Sequence, residues 1–421
     1  MITTIFNQSF IRLFNYAINL FIISYISSNY GESILADYFI SLQFILLLST
    51  ISIFGFNIAS QKTIPTLINN QNIKFEIFTS GSLIISLIIS IIFVLILSSM
   101  VYLKFNFLNY INSEFLLYLI LCIPLFTIIL FVNEILRSVK KLIIGQIITL
   151  IVLPLLLCIN LLFFNSIDNK NNLLPIIFFI SYLFSSIICI VVNLKLKLLT
   201  KFHIKLKFEI VKNIIKDHFV YFLNSIISLI SIIGFSFILN GLNMKSEVAS
   251  YNLVIILSSI IGMPLIFMNN KYLRNFTINI KNNDHRKNYN LFKKISLVSV
   301  KFGVIGIFIN TLFLYFFSDQ FFNFNFNDLI YSLCLSNIAF IINSYFGPNQ
   351  SVLLIYGYGK ILNIIAFIIL FISLFLSYFL IQYFNYLGAI ISFLVYQLLI
   401  NTIISIFINN NIFTKRIIYE D

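Results

Sequence analysis

The chain repeats a mostly apolar run of about twenty residues, the length a helix needs to cross the roughly 30 Å hydrocarbon core of a bilayer. Leu83 to Leu97 is the plainest stretch, and it shows no period-two alternation of polar and apolar residues. It therefore does not read as a strand of a transmembrane barrel. Twelve such segments are legible, over approximately 5–27, 36–59, 79–103, 114–136, 142–164, 174–194, 219–242, 249–269, 295–317, 328–346, 361–383 and 387–408. Composition agrees: of 421 residues, 60% are hydrophobic and 10% charged, where a soluble domain has roughly 25% charged. One water-facing globule could neither bury that apolar surface nor keep it dissolved. The net charge of +13 is accordingly read as membrane topology and not as a nucleic-acid footprint.

Lysine and arginine placement sets the orientation. With the N-terminus cytoplasmic, the outer loops hold only Lys104, Lys170 and Lys245 of the 27 basic residues. That bias puts both termini in the cytoplasm. The first span lacks a charged n-region and a small-residue cleavage site, so it reads as retained and not as a signal peptide. Cys122, Cys158, Cys189 and Cys334 lie inside apolar runs without a C-x-x-C pair, which indicates packing and no disulfide framework or metal site.

The two halves of the chain align with each other. Phe14–Leu20 matches Leu223–Leu229, Ala36-Asp37-Tyr38 matches Ala249-Ser250-Tyr251, and Val139–Leu142 matches Tyr358–Ile361, at offsets of 209, 213 and 219. An even number of spans per half gives both halves the same orientation, a parallel repeat, and such repeats place a transport site at their interface. The fold expected is an all-α integral membrane protein of about twelve transmembrane helices, in two pseudo-symmetric six-helix bundles around a central cavity. The first bundle would cover 1–194, a basic cytoplasmic linker with an amphipathic helix 195–218, and the second bundle with a short tail 219–421.

Polar side chains inside a span must face protein or water, because lipid cannot hydrogen-bond. Gln8, Arg12, Asn15 and Asn19 recur at spacings of 4, 3 and 4 on one face of the first span; Asp217, Tyr221, Asn224, Ser228 and Ser231 do the same in the seventh. These two faces are candidate walls of one wet cavity, with interhelical hydrogen bonding as the alternative. Arg12, Asn15, Asn19, Asn224, Ser228 and Lys301 are the candidate cavity residues. Arg12 can bind an anion or snorkel to the interface as a topology marker. Glu134 and Arg137, three apart near the inner end of the fourth span, form either a local ion pair or, with Glu134 as coupling carboxylate, part of an ion-driven switch. Two inner loops are strongly basic, one from Lys195 to Lys216 and one from Lys271 to Lys294. They mark topology, or they gather an anionic lipid-linked substrate.

With these features together, the chain resembles the polysaccharide flippases of the Wzx type, in the multidrug/oligosaccharidyl-lipid/polysaccharide exporter superfamily. The likeness rests on the twelve-span, two-half layout, on Asn29-Tyr30-Gly31-Glu32 through Ala36-Asp37-Tyr38-Phe39, on Phe54-Gly55-Phe56, on Leu354–Lys360, and on Tyr386-Leu387-Gly388-Ala389-Ile390. Asn385 stands where the family usually has a proline. The resemblance implies transfer of an undecaprenyl-diphosphate-linked oligosaccharide from the cytoplasmic to the periplasmic leaflet of the bacterial inner membrane. Arg12, Lys62, Arg137, Lys271, Arg274 and Lys301 become candidates for the diphosphate and any acidic sugars, with Lys62, Arg137, Lys271 and Arg274 at the cytoplasmic gate. No catalysis and no cofactor are expected; a proton or sodium gradient is the candidate drive. The partners implied are the lipid-linked oligosaccharide, membrane lipids and other polysaccharide-assembly proteins, with no nucleic acid, and the chain is expected to be a monomer. Two rivals remain: an ion-coupled small-molecule or multidrug exporter of the same superfamily, and a membrane O-antigen polymerase or acyltransferase.

Overall fold

The computed structural model describes residues 2–68, 72–103, 113–139, 141–163, 170–196, 208–282, 284–321 and 326–413. Every regular element among them is helical. Eleven stretches are long and apolar enough to cross a membrane, the last being the 55 residues Gly359–Phe413. At 1.5 Å per residue that stretch is more than twice the length of one crossing. It is reversed at Asn385 (φ 52, ψ −137), and so makes two crossings, which brings the total among the described residues to twelve. The reversal is sharp. A Cβ on Gly388 would lie 2.3 Å from the Leu380 carbonyl oxygen, whereas eight residues of straight helix would separate the two by about 12 Å. Proline, with φ fixed near −65°, could not occupy Asn385 in this geometry.

The described chain forms two compact units, Met1–Ile226 and Ile227–Asp421, divided within one helix, α9 (Phe208–Gly241). In the first unit, α5 (Ser113–Ser138) packs against α2 (Glu32–Ile53), α3 (Phe56–Ile68), α4 (Asn72–Tyr102) and α8 (Lys170–Lys195). Phe131 of α5 stacks on Phe56 at 4.2 Å, within a core that includes Ile53, Ile64, Leu83 and Ile135. The expected span 36–59 is cut short: Phe54 (φ 51) and Gly55 (φ 74) turn the chain between α2 and α3. Gly55 is required twice over. Its φ favours glycine, and a Cβ there would stand 2.5 Å from the Phe222 nitrogen and 2.7 Å from the His218 oxygen. The fifth span is α6 (Leu142–Ile147), a π-helical turn (Ile148–Val152) and α7 (Leu153–Phe163). Pro154 lacks the amide that would bond the carbonyl one turn back, and a wider turn just before it relieves the clash of its ring. α1 (Ile2–Tyr30) packs against α2 and all three parts of the fifth span.

In the second unit, α10 (Lys245–Lys281) packs against α11 (His285–Phe321), α12 (Phe326–Phe346), α13 (Asn349–Ile355) and α14 (Gly359–Ile408). Tyr251 is fully buried and donates its hydroxyl to the Ile232 carbonyl over 3.0 Å. Asn310 donates to the Leu257 carbonyl at 2.7 Å. The second basic loop expected from sequence is helical instead. α10 runs to Lys281 and α11 starts at His285, so most of that charge rides on a two-helix hairpin. For the linker, α9 begins at Phe208 and continues into the seventh span; residues 197–207 and the side chains of 208–217 lie outside the described residues.

Large apolar side chains face outward along several of these helices, among them Leu95 and Phe308, both 65% exposed. Stripes of that kind need a non-aqueous surround.

Candidate functional site

Polar groups concentrate in the first unit where the C-terminal end of α5 meets α3 and α6. Glu134 is almost buried, with side-chain exposure of 13%, and Arg137, one turn on, lies 3.8 Å from it. Gln61 of α3 donates to Glu134 Oε2 at 3.3 Å and to the Asn57 carbonyl at 2.9 Å. Asn57 in turn pairs with Ser225 at 3.0 Å, and Ser225 donates to the Tyr221 carbonyl at 2.9 Å. Ser138 closes the layer by donating to the Glu134 carbonyl at 2.8 Å, with Ser60 Oγ 3.2 Å away. A continuous polar path thus runs from α5 through α3 to the middle of α9.

Next to this layer, Gly145 of α6 lies against Asn133, whose side-chain oxygen leaves no room for a Cβ there. That oxygen and Gln146 Oε1 are both buried and accept no hydrogen bond from the protein. Leaving a buried amide oxygen unpaired costs about 1–3 kcal/mol. Two such atoms one helix contact apart, just before a π-helical turn, make a site with unspent acceptor capacity. Such turns are frequent at functional sites.

Arg12 is half-buried on α1, within the first two turns of the span Phe10–Tyr30. It lies close enough to Arg137 for the two charges to repel. The structure therefore brings Arg12, Arg137 and Glu134 into one neighbourhood: two guanidinium groups and one carboxylate. The other expected residues divide. Asn19 donates its amide to the Asn15 carbonyl and side-chain oxygen, both at 2.9 Å, so these two residues satisfy each other along α1. Asn224 is buried next to Ser225. The Ser228 carbonyl accepts the Ser231 hydroxyl at 2.8 Å. Lys301 stands apart, exposed on α11 between Leu297 and Ile305, which are 63% and 53% exposed. An apolar exposed face of that kind suits lipid contact, with the ammonium snorkelling outward. The side chains of Lys62, Lys271 and Arg274 lie outside the described residues.

Asn57, Gln61, Asn133 and Gln146 are not singled out by the sequence. Asn57 and Gln61 fall at the end of the expected second span and just beyond it, where a hydropathy ruler sees only the span giving out. The one local signal is Phe54-Gly55-Phe56, whose glycine breaks the helix and starts another. Among the described residues, no group of three or more His, Cys, Asp or Glu side chains could hold a metal ion.

No protein-family model matches the sequence, and no curated protein sequence matches it either. Solved structures do match in fold. An inward-facing multidrug resistance MATE family transporter of the MOP superfamily superposes with a TM-score of 0.70 at 14% identity, covering 95% of this chain and 97% of that one. A eukaryotic MATE transporter, AtDTX14, gives 0.71 at 13% identity, over 98% of this chain and 96% of that one. A MOP superfamily transporter from Pyrococcus furiosus, described as having a binding pocket of reverse polarity, gives 0.69 at 14% identity, over 96% and 94%. The chain is a multi-pass, all-helical membrane protein with the fold of MATE transporters of the MOP superfamily.

Proposed function

We propose that the protein is an alternating-access transporter that moves an undecaprenyl-diphosphate-linked oligosaccharide from the cytoplasmic to the periplasmic leaflet of a bacterial inner membrane, with both termini cytoplasmic. The observation that carries this reading is the meeting of charges at the end of α5, where Arg137 lies 3.8 Å from Glu134 and close enough to Arg12 for the two cations to repel. A diphosphate carries two or more negative charges, and the planar guanidinium fork matches phosphate oxygens. Gln61, Asn57 and Gln146 add neutral polar groups of the kind that sugar hydroxyls can bond. Glu134 is the coupling group in this reading: a proton or sodium ion taken up there competes with Arg137 for the carboxylate, freeing the guanidinium for substrate. No covalent step is needed, and the protein acts as a monomer with membrane lipid and its lipid-linked substrate as partners. Its product then passes to other polysaccharide-assembly proteins.

A second reading is supported by the fold likeness to multidrug resistance transporters. On that reading the same carboxylate receives a cationic small molecule, and Arg12 serves only to anchor α1. Deletion of the protein followed by analysis of lipid-linked intermediates separates the two. The flippase reading expects single undecaprenyl-linked repeat units to accumulate on the cytoplasmic side. Normal surface glycan, together with increased sensitivity to cationic drugs, would transfer the conclusion to the exporter.

A further inference from the structure

The α10–α11 hairpin carries a second polar feature, away from the cluster on α5. A groove of about 370 Å³ is lined by Asn275, Ile278 and Asn279 on α10 and by Lys287, Asn290, Leu291 and Lys294 on α11. The register is regular. Each helix contributes positions three or four apart; in the antiparallel pair Asn275 and Lys294 lie toward the end away from the turn, and Asn279 and Lys287 toward the turn. Lysines therefore stand at both ends of the α11 edge, seven residues or about 10 Å of helical rise apart. Carboxamides lie between them, and an Ile–Leu pair supplies an apolar wall.

The hairpin that forms this groove is braced from within. Asn288 is fully buried; its side-chain oxygen accepts from Asn279 at 2.9 Å and its amide donates to Tyr356 Oη at 3.1 Å. His285 also meets that hydroxyl at 3.1 Å, and Asp284 holds Lys287 at 2.7 Å. Lys293, facing elsewhere, sits over the Tyr289 ring at 4.5 Å. Lys294 directly precedes the uncharged apolar run of α11 that opens at Ile295, and Asn275 follows Lys271 and Arg274, which close the apolar run of α10. The groove consequently sits at the depth of lipid phosphates, not among acyl chains.

We infer that this groove binds the phosphate of an anionic phospholipid, with Lys294 and Asn275 as donors at the membrane-proximal end and Ile278 and Leu291 against the glycerol backbone. Basic pockets at the ends of membrane helices favour such headgroups. The apolar wall distinguishes a lipid from free phosphate, which gains nothing from it. The inference does not depend on the transport reading, because none of its residues belongs to the α5 cluster.

The test uses the full-length protein purified in a neutral detergent. Thermal stability is read by tryptophan-independent means, such as fluorescence-detected gel filtration after heating, since the chain has no Trp. Added phosphatidylglycerol should raise Tm by about 2–4 °C, and phosphatidylcholine should not. The variant Lys287→Gln/Lys294→Gln should lose most of the rise, whereas the charge-matched Lys301→Gln/Lys360→Gln should keep it. Asn275→Leu, which removes no charge, should also reduce it. An equal rise with phosphatidylcholine, or a full rise in both the double groove variant and Asn275→Leu, would overturn the site. A rise of the same size with inorganic phosphate alone would overturn the lipid assignment in favour of a soluble anion.

Discussion

Gln61 and Glu134, 73 positions apart in sequence, meet through a 3.3 Å hydrogen bond from the amide of one to the carboxylate of the other. The contact ties α3 to α5 at a group whose second neighbour is Arg137. Truncating one partner of a fully buried ion pair costs about 3–5 kcal/mol. Arg137 is 31% exposed, so water recovers part of that, and Glu134→Ala should cost roughly 2 kcal/mol. Glu134→Gln keeps an acceptor for Gln61 and should cost about half as much. Denaturation midpoints of the purified variants check the order. If Glu134→Gln is as damaging as Glu134→Ala, the charge on Glu134, and not its hydrogen bond, holds the layer together. Under the transport reading, Glu134→Gln should also abolish gradient-driven export while leaving the protein folded.

The junction of α2 and α3 should tolerate no side chain. At Gly55 both the positive φ and the Phe222 backbone oppose a Cβ. The conformational part alone is worth about 1–2 kcal/mol, and the overlap adds about 1–3 kcal/mol. Gly55→Ala should therefore sharply reduce folded protein in the membrane. Gly241→Ala is the control, since nothing lies within 4 Å of its would-be Cβ. Quantitative blotting of the two variants, expressed side by side, measures the difference; equal yields would mean that α9 does not approach Gly55 this closely.

Asn385 makes an analogous prediction in the second unit. Its φ of 52 is open to glycine and tolerable for asparagine. The next residue, Tyr386, donates its backbone N–H to Glu247 Oε2 at 3.2 Å. Asn385→Gly should leave Tm within a degree or two or raise it slightly, whereas Asn385→Pro should lower it by several degrees. A neutral Asn385→Pro would mean that the turn can adopt a different backbone, and that a positive φ does not account for asparagine at this position.

These positions also mark what could be read from the sequence. The crossings were legible because lipid imposes one length and one composition on every span, from Leu83–Leu97 to the closing pair. Glu134 with Arg137, and Arg12, were legible because charge inside a span is costly wherever it falls. Asn57, Gln61, Asn133 and Gln146 were not: an amide costs little in a window average, and its role depends on which helix lies opposite. The hairpin of α10 and α11 reads as loop for a related reason. Lysine and asparagine end a hydrophobic run without ending a helix, so Lys271–Lys281 stays helical beyond the apolar stretch. Lys301 is the converse case. Depth in the span made it a candidate, but only the fold reveals that its helical neighbours Leu297 and Ile305 are apolar and exposed.

Arg12 and Lys301 can be set against each other for that reason. Both are cations inside spans by sequence, but Arg12 is half-buried within reach of Arg137's charge, whereas Lys301 is exposed on an apolar face. If the cationic cluster handles substrate, Arg12→Ala should lower export of the lipid-linked glycan by at least about tenfold, the equivalent of one lost charge-assisted hydrogen bond at about 1.4 kcal/mol. Arg12→Lys should restore part of it, because it keeps the charge and loses the fork. Lys301→Leu should leave export unchanged at equal protein levels, and should if anything favour insertion of α11. Surface glycan per molecule of membrane-inserted protein is the measurement. Loss of export in Lys301→Leu with Arg12→Ala unaffected would move the substrate path away from the α5 cluster and onto the exposed face of α11.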